Sequence, residues 1–506
     1  MGVGNLPNVV FCVTNTMLYN MKKSLYGATN SNNNKSGFAS QYKSRTFRFT
    51  GRWLLRFVQG ADDITKHDRW KDYGHNEIEG VVLMDVLIVG SGGREHAIGW
   101  KIKQNSTVDN LYFAPGNAGT AKIGKNINLL ATDVEALVDF ARNNMKEDGI
   151  TIVGPESALE AGIVDTFRKY GLPIFGPDRA EAHLETSKSF AKEFMRKYDI
   201  PTAAYWACEN VADALQALEK FTYPVVVKAD GLASGKGVFI CDDKPQAVQA
   251  IDKIMSERIF GDSGSRILLE EYMEGPEVTL MCFTDGHAIV PMESAGDYKR
   301  INDGNVGLNT GGMGSISPAF YYTPGMADEI VQKTLKGIKA EGMDYRGVLY
   351  IGLMVTAHGI KVIEYNARFG DPETEAILLR LDTDLLEIIK AVVNQRLSDI
   401  SVCWNKDVAV SVVIVSGGYP EEYKTGYPIL EPSTEYDNNS VVFHAGTKVD
   451  NDGTALTDGG RVLVVSSLGK DMNAARETTY QTVGAISFND MHYRKDIGLK
   501  PLSHIN

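Results

Sequence analysis

The sequence predicts a multidomain protein of mixed α/β and α+β class: a doubly wound parallel α/β domain first, then a two-part central region, then a C-terminal β-rich domain. Three observations lead there. The 506 residues exceed what one compact core ordinarily holds, so about three or four units are expected. After Asp85, short apolar runs alternate with segments of helical period, the pattern of βαβ units. From Val408 onward, apolar runs follow one another as strands.

The chain begins with a different kind of sequence. Residues 1–61 hold eight Lys or Arg and no Asp or Glu, whereas the remainder holds 44 basic and 64 acidic residues. Arginines at 45, 48, 52 and 56 stand among aromatic and leucine residues, and Asn and Ser are abundant, which is the composition of an organelle transit peptide. Residues 1–83 are therefore expected to direct the protein to a plastid or mitochondrion. The other reading is a disordered or untranslated extension, because Met84 opens the first convincing strand; the protein would then be cytoplasmic. The acidic body argues against nucleic acid as a partner. Five cysteines with no Cys-x-x-Cys pair suggest neither a zinc site nor a disulfide framework. No apolar run is long enough for a transmembrane helix, so no membrane partner is expected.

Residues 84–185 carry the doubly wound pattern. Val86 to Gly90 reads as a buried parallel strand, followed by a glycine turn and a helix from about Arg94 to Lys103. Strands at 111–113 and 150–154 alternate with helices at 133–142 and 157–169. A helix at 187–197 opens the central region, 186–400, and breaks at Ile200-Pro201. A small α+β unit is expected at about 201–272: strands 224–228, 237–240 and 267–271, with a helix at 244–257. A larger sheet follows, with strands 277–283, 347–356 and 361–366, and then a helix at 384–394. Residues 401–506 are expected to be β-rich, with strands at 408–415, 441–446 and 461–466.

The densest chemistry lies at 364–373. On an extended strand Glu364, Asn366 and Arg368 share a face. Glu364 and Asn366 offer hard oxygen donors for Mg2+, which shares its ligands with substrate phosphates, and Arg368 offers charge to phosphoryl oxygens. Read alone, the same stretch could be a solvated edge strand ending in a Gly-Asp-Pro turn. Residues Gly90 to His96 form a strand-turn-helix loop resembling a dinucleotide fingerprint, but Glu95 occupies the third glycine position. An anion site for a small substrate at the helix N-terminus is the functional reading, and a tight turn the alternative. The Lys228 to Val238 loop joins two strands and lacks Walker A spacing. With Lys228 and Lys236 it suits a flap over phosphates; a plain glycine hairpin is the alternative. Residues 297–314 are rich in glycine without regular period, which points to a functional loop. His96, His287 and His444 are taken as structural.

In this order the motifs resemble the phosphoribosylamine-glycine ligase (glycinamide ribonucleotide synthetase) family of the ATP-grasp superfamily. The resemblance runs from about Met84 to Gly498. It is carried by Gly-Gly-Arg-Glu-His-Ala at 92–97, Pro-Gly-Asn-Ala-Gly-Thr at 115–120, Lys-Ala-Asp-Gly-Leu-Ala at 228–233 and Asn-Thr-Gly-Gly-Met-Gly at 309–314. Arg-Phe-Gly-Asp-Pro-Glu at 368–373, His-Ala-Gly-Thr at 444–447, Gly-Gly-Arg-Val-Leu at 459–463 and Arg-Lys-Asp-Ile-Gly at 494–498 complete it.

The resemblance implies an ATP-grasp domain pair in the central region and an enzyme of purine biosynthesis. ATP, glycine and 5-phosphoribosylamine would give ADP, phosphate and glycinamide ribonucleotide through a glycyl phosphate. It implies ATP and Mg2+ (or Mn2+) as cofactors, with Glu364 and Asn366 as metal ligands. Arg368, Lys236 and Asp297 would be catalytic, and Lys188, Lys228, Lys236, Glu270, Glu271, Tyr272 and Glu277 would hold ATP. Gly92, Gly93, Arg94, Glu95, Asn117, Lys299, Thr310, Gly311, Gly312 and Asp371 would line the substrate pocket. A monomer or weak homo-oligomer with a single activity is expected.

The chain departs from the family pattern at Ser234, Asn305, Ala367 and Val464, and only Asn305 replaces a polar role, that of an acid. A rival within the superfamily is another carboxylate-amine ligase or a biotin carboxylase-like enzyme. A nicotinamide-dependent oxidoreductase built on the Gly90 loop is the rival from a different class, and Glu95 argues against it.

Overall fold

The computed structural model describes residues 83–231, 237–432 and 439–499. The expected transit segment, apart from Leu83, and the flap residues Ser234 and Lys236 lie outside these.

The N-terminal sheet is parallel throughout, in the order β3-β2-β1-β4-β5: β1 is Met84–Gly90, β2 Val108–Pro115, β3 Lys125–Asn126, β4 Ile150–Val153 and β5 Ile174–Phe175. Every residue of β1 is buried, as a strand covered on both faces requires. Helices α1 (Gly93–Ile102) and α2 (Val134–Asn144, capped by Asp133) follow β1 and β3. The single helix expected at 157–169 is two, α3 (Glu156–Glu160) and α4 (Ile163–Lys169). Gly162 separates them at φ +82°, a conformation that ends one helix and starts the next. Chain order reverses between β1 and β4, so Gly90 and Gly154 open a crevice at the carboxyl ends of adjacent strands.

Helices α5 (Arg179–Thr186) and α6 (Lys188–Lys197) meet at Ser187, which caps α6 by accepting from Phe190 N. The small unit is an antiparallel sheet in the order β6-β9-β7-β8: β6 is Tyr205–Cys208, β7 Val225–Ala229, β8 Val238–Cys241 and β9 Ile267–Glu271. Helices α7 (Val211–Leu218) and α8 (Lys244–Ile251) cover one face through Ala214, Ala217, Ala247 and Ile251. The helix expected to run to Glu257 changes to a π-helical stretch at Asp252–Ser256.

The larger sheet runs β11-β10-β16-β17, with β10 Glu277–Thr284, β11 Ile289–Pro291, β16 Gly347–Thr356 and β17 Gly359–Asn366. The glycine-rich segment holds four short strands, β12 (Gly296–Asp297), β13 (Arg300–Asn302), β14 (Val306–Asn309) and β15 (Gly314–Ser317). Such strands are too short to show a period in sequence. Two of them join the C-terminal sheet, β12-β15-β18-β22-β19, in which β18 is Val408–Ser416, β19 Ser440–His444 and β22 Arg461–Gly469, while β20 (Thr447–Val449) and β21 (Ala455–Thr457) pair with each other. The division read near residue 400 therefore falls within one hydrogen-bonded sheet. Helix α9 (Asp328–Ala340) precedes β16; α10 (Glu373–Arg380) and α11 (Leu385–Val393) follow β17. All of α10 is buried, and it packs on α1, β15, β18 and β22. A final helix, α12 (Met472–Gly484), lies on β18 and β22; of its inward residues Ala475, Thr479, Thr482 and Val483, only Val483 is a larger apolar side chain, so the sequence shows no apolar stripe there.

Among the described residues no helix is long and apolar enough to cross a membrane.

Candidate active site

Strand β17 is the edge strand of its sheet, as the plain reading of 364–373 expected, and it is also where the charged groups gather. Tyr350 pairs with Asn366, Ile351 with Tyr365 and Gly352 with Glu364, but Leu353 pairs with Val362, so Ile363 forms a bulge. A bulge re-aims the residues beside it. Glu364 and Asn366 lie on one face, and Tyr365 between them is buried on the other with its hydroxyl 2.8 Å from Thr334 Oγ1. Gly352, opposite Glu364, leaves that face open. The strand ends at Asn366, so Arg368 is not carried by strand alternation as expected; it lies in the following bend.

Glu364 lines a cleft with Glu277, Thr279, Asp297, Lys299 and Tyr350. Burial opposes its charge, yet Lys299, Lys188, Lys228 and Arg368 together hold its carboxyl below the ordinary range. Lys299 Nζ donates to Glu277 Oε2 at 2.6 Å. Glu373 Oε1 accepts from Tyr350 Oη (2.8 Å) and Thr279 Oγ1 (2.9 Å), which fixes the start of α10. Asp297 Oδ1 is buried without a hydrogen-bond partner. Burial, then Glu373, pushes its carboxyl well above the usual range against the pull of Lys299.

A lysine cluster stands on the small sheet. Lys228 on β7 and Glu270 on β9 are diagonal cross-strand neighbours, and Lys228 Nζ donates to Glu270 Oε2 at 2.9 Å. Lys192 on α6 meets the same oxygen at 3.1 Å and donates to Thr202 Oγ1 at 2.7 Å. Glu270 Oε1 is buried with no partner. Glu271, one residue on, faces the other way toward Ala204 N and Lys361, and Tyr272 is exposed; the structure does not bring these two side chains to the lysines.

The crevice of the N-terminal sheet holds the third group. Glu95 reaches back from α1: its Oε2 accepts from Gly92 N and its Oε1 from Arg94 Nε, both at 2.6 Å. Arg94 Nη1 donates to Phe369 O at 3.1 Å, tying the loop to the signature bend. A Cβ on Gly154 would stand 1.9 Å from Glu95 Oε1, so the close approach requires glycine. Asn117 is spent internally: Nδ2 donates to Ser91 O (2.8 Å) and His444 O (2.7 Å), and Oδ1 accepts from Gly119 N and Thr120 N. Its side chain shapes the loop and is not left to meet a ligand.

The glycine-rich loop closes the site. Thr310 Oγ1 donates to Lys299 O and accepts from Gly312 N. Gly312, at φ +119°, packs on Pro372 and beside Asp297. Asp371 Oδ1 pairs with Arg461 Nη1 at 3.1 Å, and the same nitrogen donates to Gly311 O at 2.8 Å. Gly311 N donates to Tyr419 Oη. Asn305 sits instead in the β13–β14 turn at φ +58°, a conformation that Asn tolerates, with Arg494 Nη1 3.5 Å from its Oδ1.

Glu156 closes the Val153-Gly154-Pro155-Glu156 run, a strand end where ligands are expected to gather; sequence reasoning missed Glu185, Lys192, Tyr419 and Arg461. The last stands inside the quoted Gly-Gly-Arg-Val-Leu run; the others carry no local signal. Of the histidines, His96 Nδ1 accepts from His444 N at 2.9 Å, and His287 Nε2 lies 3.2 Å from Gln395 Nε2.

Comparison with known proteins places these features in a family. Residues 84–185 match the phosphoribosylglycinamide synthetase N domain, 186–374 its ATP-grasp (A) domain and 409–500 its C domain. A phosphoribosylamine–glycine ligase of Clostridium acetobutylicum is 46% identical over 419 residues, 82% of this chain and 99% of the relative. One from Vibrio cholerae is 44% identical, over 83% and 99%. The crystal structure of phosphoribosylamine–glycine ligase from Thermotoga maritima superposes with a TM-score of 0.71 at 33% identity, covering 81% of this chain and 99% of that one. The biotin carboxylase domain of Hydrogenobacter thermophilus 2-oxoglutarate carboxylase superposes with a TM-score of 0.65 at 15% identity, covering 81% and 92%, a likeness of fold alone.

Proposed function

The chain belongs to the phosphoribosylglycinamide synthetase family, and from that premise we propose that it is an ATP-dependent ligase joining glycine to 5-phosphoribosylamine in purine biosynthesis. The observation that carries the reading at the site is the convergence on the Glu364 region: Lys228 of the Lys228–Glu270 cluster helps hold the Glu364 carboxyl ionised, and Arg94 ties the Gly92 crevice to the bend after Glu364 through Phe369 O.

ATP lies along the first two. Lys188, Lys228 and Lys236 hold its phosphates, and the buried Glu270 Oε1 awaits a donor on the adenine side. Glu277 takes the ribose. Glu364 and Asn366 hold Mg2+ or Mn2+. These two hard oxygen donors, on one face of the strand and beside the lysines placed toward the phosphates, fit a cation that completes its shell with phosphate and water. Bound there, the metal would neutralise charge on the phosphates.

The γ-phosphoryl passes to a glycine carboxylate oxygen as its bond to ADP breaks, with Arg368 beside the oxygens in transfer. Phosphoribosylamine is held by the Gly92–Gly93 turn, Arg94 and the Thr310–Gly312 loop, with Glu95 and Asn117 shaping that turn. Its amine attacks the glycyl carbonyl; the C–N bond forms and phosphate leaves. Asp297, free at Oδ1 and drawn toward its ionised form by Lys299, takes the amine proton as a carboxylate. Positioning and charge do most of this work.

Purified protein with ATP and Mg2+ is expected to form glycinamide ribonucleotide only when glycine and phosphoribosylamine are both present. Turnover with bicarbonate in their place would establish the biotin carboxylase-like alternative and defeat this one.

A further inference from the structure

We infer that Glu185 is the positioning residue that aims Arg368 at the transferring phosphoryl group. The inference rests on the role given to Arg368 above.

Arg368 follows β17 by two residues, so no strand ladder fixes its direction. Something else must. Glu185, in the last turn of α5 and only 6% exposed, grips the bend twice. Its Oε2 accepts the backbone N–H of Ala367 at 2.8 Å, and its Oε1 meets Arg368 Nη2 at 3.1 Å. One carboxylate thus fixes both the chain entering the arginine and the guanidinium itself, and charged pairs of this kind are stronger than neutral hydrogen bonds. Glu156 Oε2 also lies 3.3 Å from Arg368 Nε, but Nε makes no hydrogen bond, so Glu156 supplies charge without direction.

The same corner of the chain serves the other end of the site. Glu185 stands three residues before Lys188, and Ser187 between them caps the helix that carries Lys188 and Lys192. The α5–α6 corner therefore sets Arg368 through Glu185 and presents Lys188 on the ATP side. A carboxylate whose two oxygens are taken by Ala367 N and Arg368 Nη2 is given no contact with ATP, glycine or phosphoribosylamine. It acts through Arg368, and its removal must cost nothing further once Arg368 is gone.

The test is a double-mutant cycle on the full chain with Glu185→Gln, Arg368→Ala and the pair, read as kcat and as KM for ATP. Glutamine keeps one acceptor and loses the charge. Glu185→Gln is expected to lower kcat about tenfold or more while KM for ATP moves less than about threefold; in the Arg368→Ala background it is expected to change kcat less than about twofold. If the glutamine variant does not fold, Glu185→Asp, which keeps the charge but is shorter, runs the same cycle. Losses that multiply in the double variant, or an unchanged kcat in the single one, overturn the inference. If Arg368→Ala alone keeps wild-type turnover, it is the role of Arg368 that falls.

Discussion

Glu364 shows what a single residue discloses in sequence. Its two-residue spacing from Asn366 on an apolar run was enough to place both oxygens on one face, because strand alternation is a local rule. Glu185 was not legible, since its partners Ala367 and Arg368 lie more than 180 positions away and nothing near it marks a site. Lys192 was not legible either, since nothing in the sequence shows that its helix packs beside the strand carrying Glu270. Glu364 is also the residue whose loss separates chemistry from stability. It is half-buried, faces a cleft, and pairs across the sheet with a glycine, so it contributes little packing. Glu364→Ala is expected to lower kcat at least about a hundredfold, as losing a metal ligand does, while stability changes by less than about 1 kcal/mol. Near-wild-type turnover at saturating Mg2+, measured beside an unchanged melting curve, would remove Glu364 from the metal site.

At the scale of elements, the parallel strands and their following helices were readable because a strand buried on both faces is an unbroken apolar run. Where packing uses small or polar residues, as on α12, or where strands shrink to two to four residues, as from β12 to β15, the pattern vanishes. The crevice between β1 and β4 shows how such elements position chemistry. Glu95 bridges Gly92 N and Arg94 only because Gly154, at the end of β4, offers no side chain in its path. Gly154→Ala would place a methyl group 1.9 Å from Glu95 Oε1 and push the carboxylate off both partners. KM for phosphoribosylamine is expected to rise about tenfold, or roughly 1.4 kcal/mol, with KM for ATP little changed. Steady-state kinetics with each substrate varied in turn measures this, and an equal rise in both would mean that the crevice does not belong to the amine substrate.

Across the whole molecule, the first and last sheets are joined through groups that must stay in one protonation state. His96 on α1 accepts the His444 N–H at Nδ1, which only a neutral imidazole can do. Its 6% exposure, with His444 and Lys122 nearby, lowers its pKa from 6.5 to about 3. The unfolded chain binds that proton below pH 6.5 and the folded chain does not, so stability is lost as pH falls from 6.5 toward 3. Glu431 acts in the same direction over a lower range. Burial opposes its charge, but the His444 ring, 3.0 Å from its Oε1, and Lys122 bring it from 4.5 to about 2, so its contribution, full above 4.5, is lost as pH falls through 2. Acid sensitivity is therefore expected to begin near pH 6.5, before ordinary carboxylates titrate. Between pH 6.5 and 5 the His96 contribution is on the order of 2 kcal/mol. His96→Asn keeps an acceptor near the Nδ1 position and loses the edge contact with Phe443 at 5.6 Å. It should unfold more easily at pH 7.5 yet lose less on acidification, so the two unfolding midpoints converge toward pH 5. Parallel pH profiles for the two proteins would show that acid sensitivity arises elsewhere than at this junction.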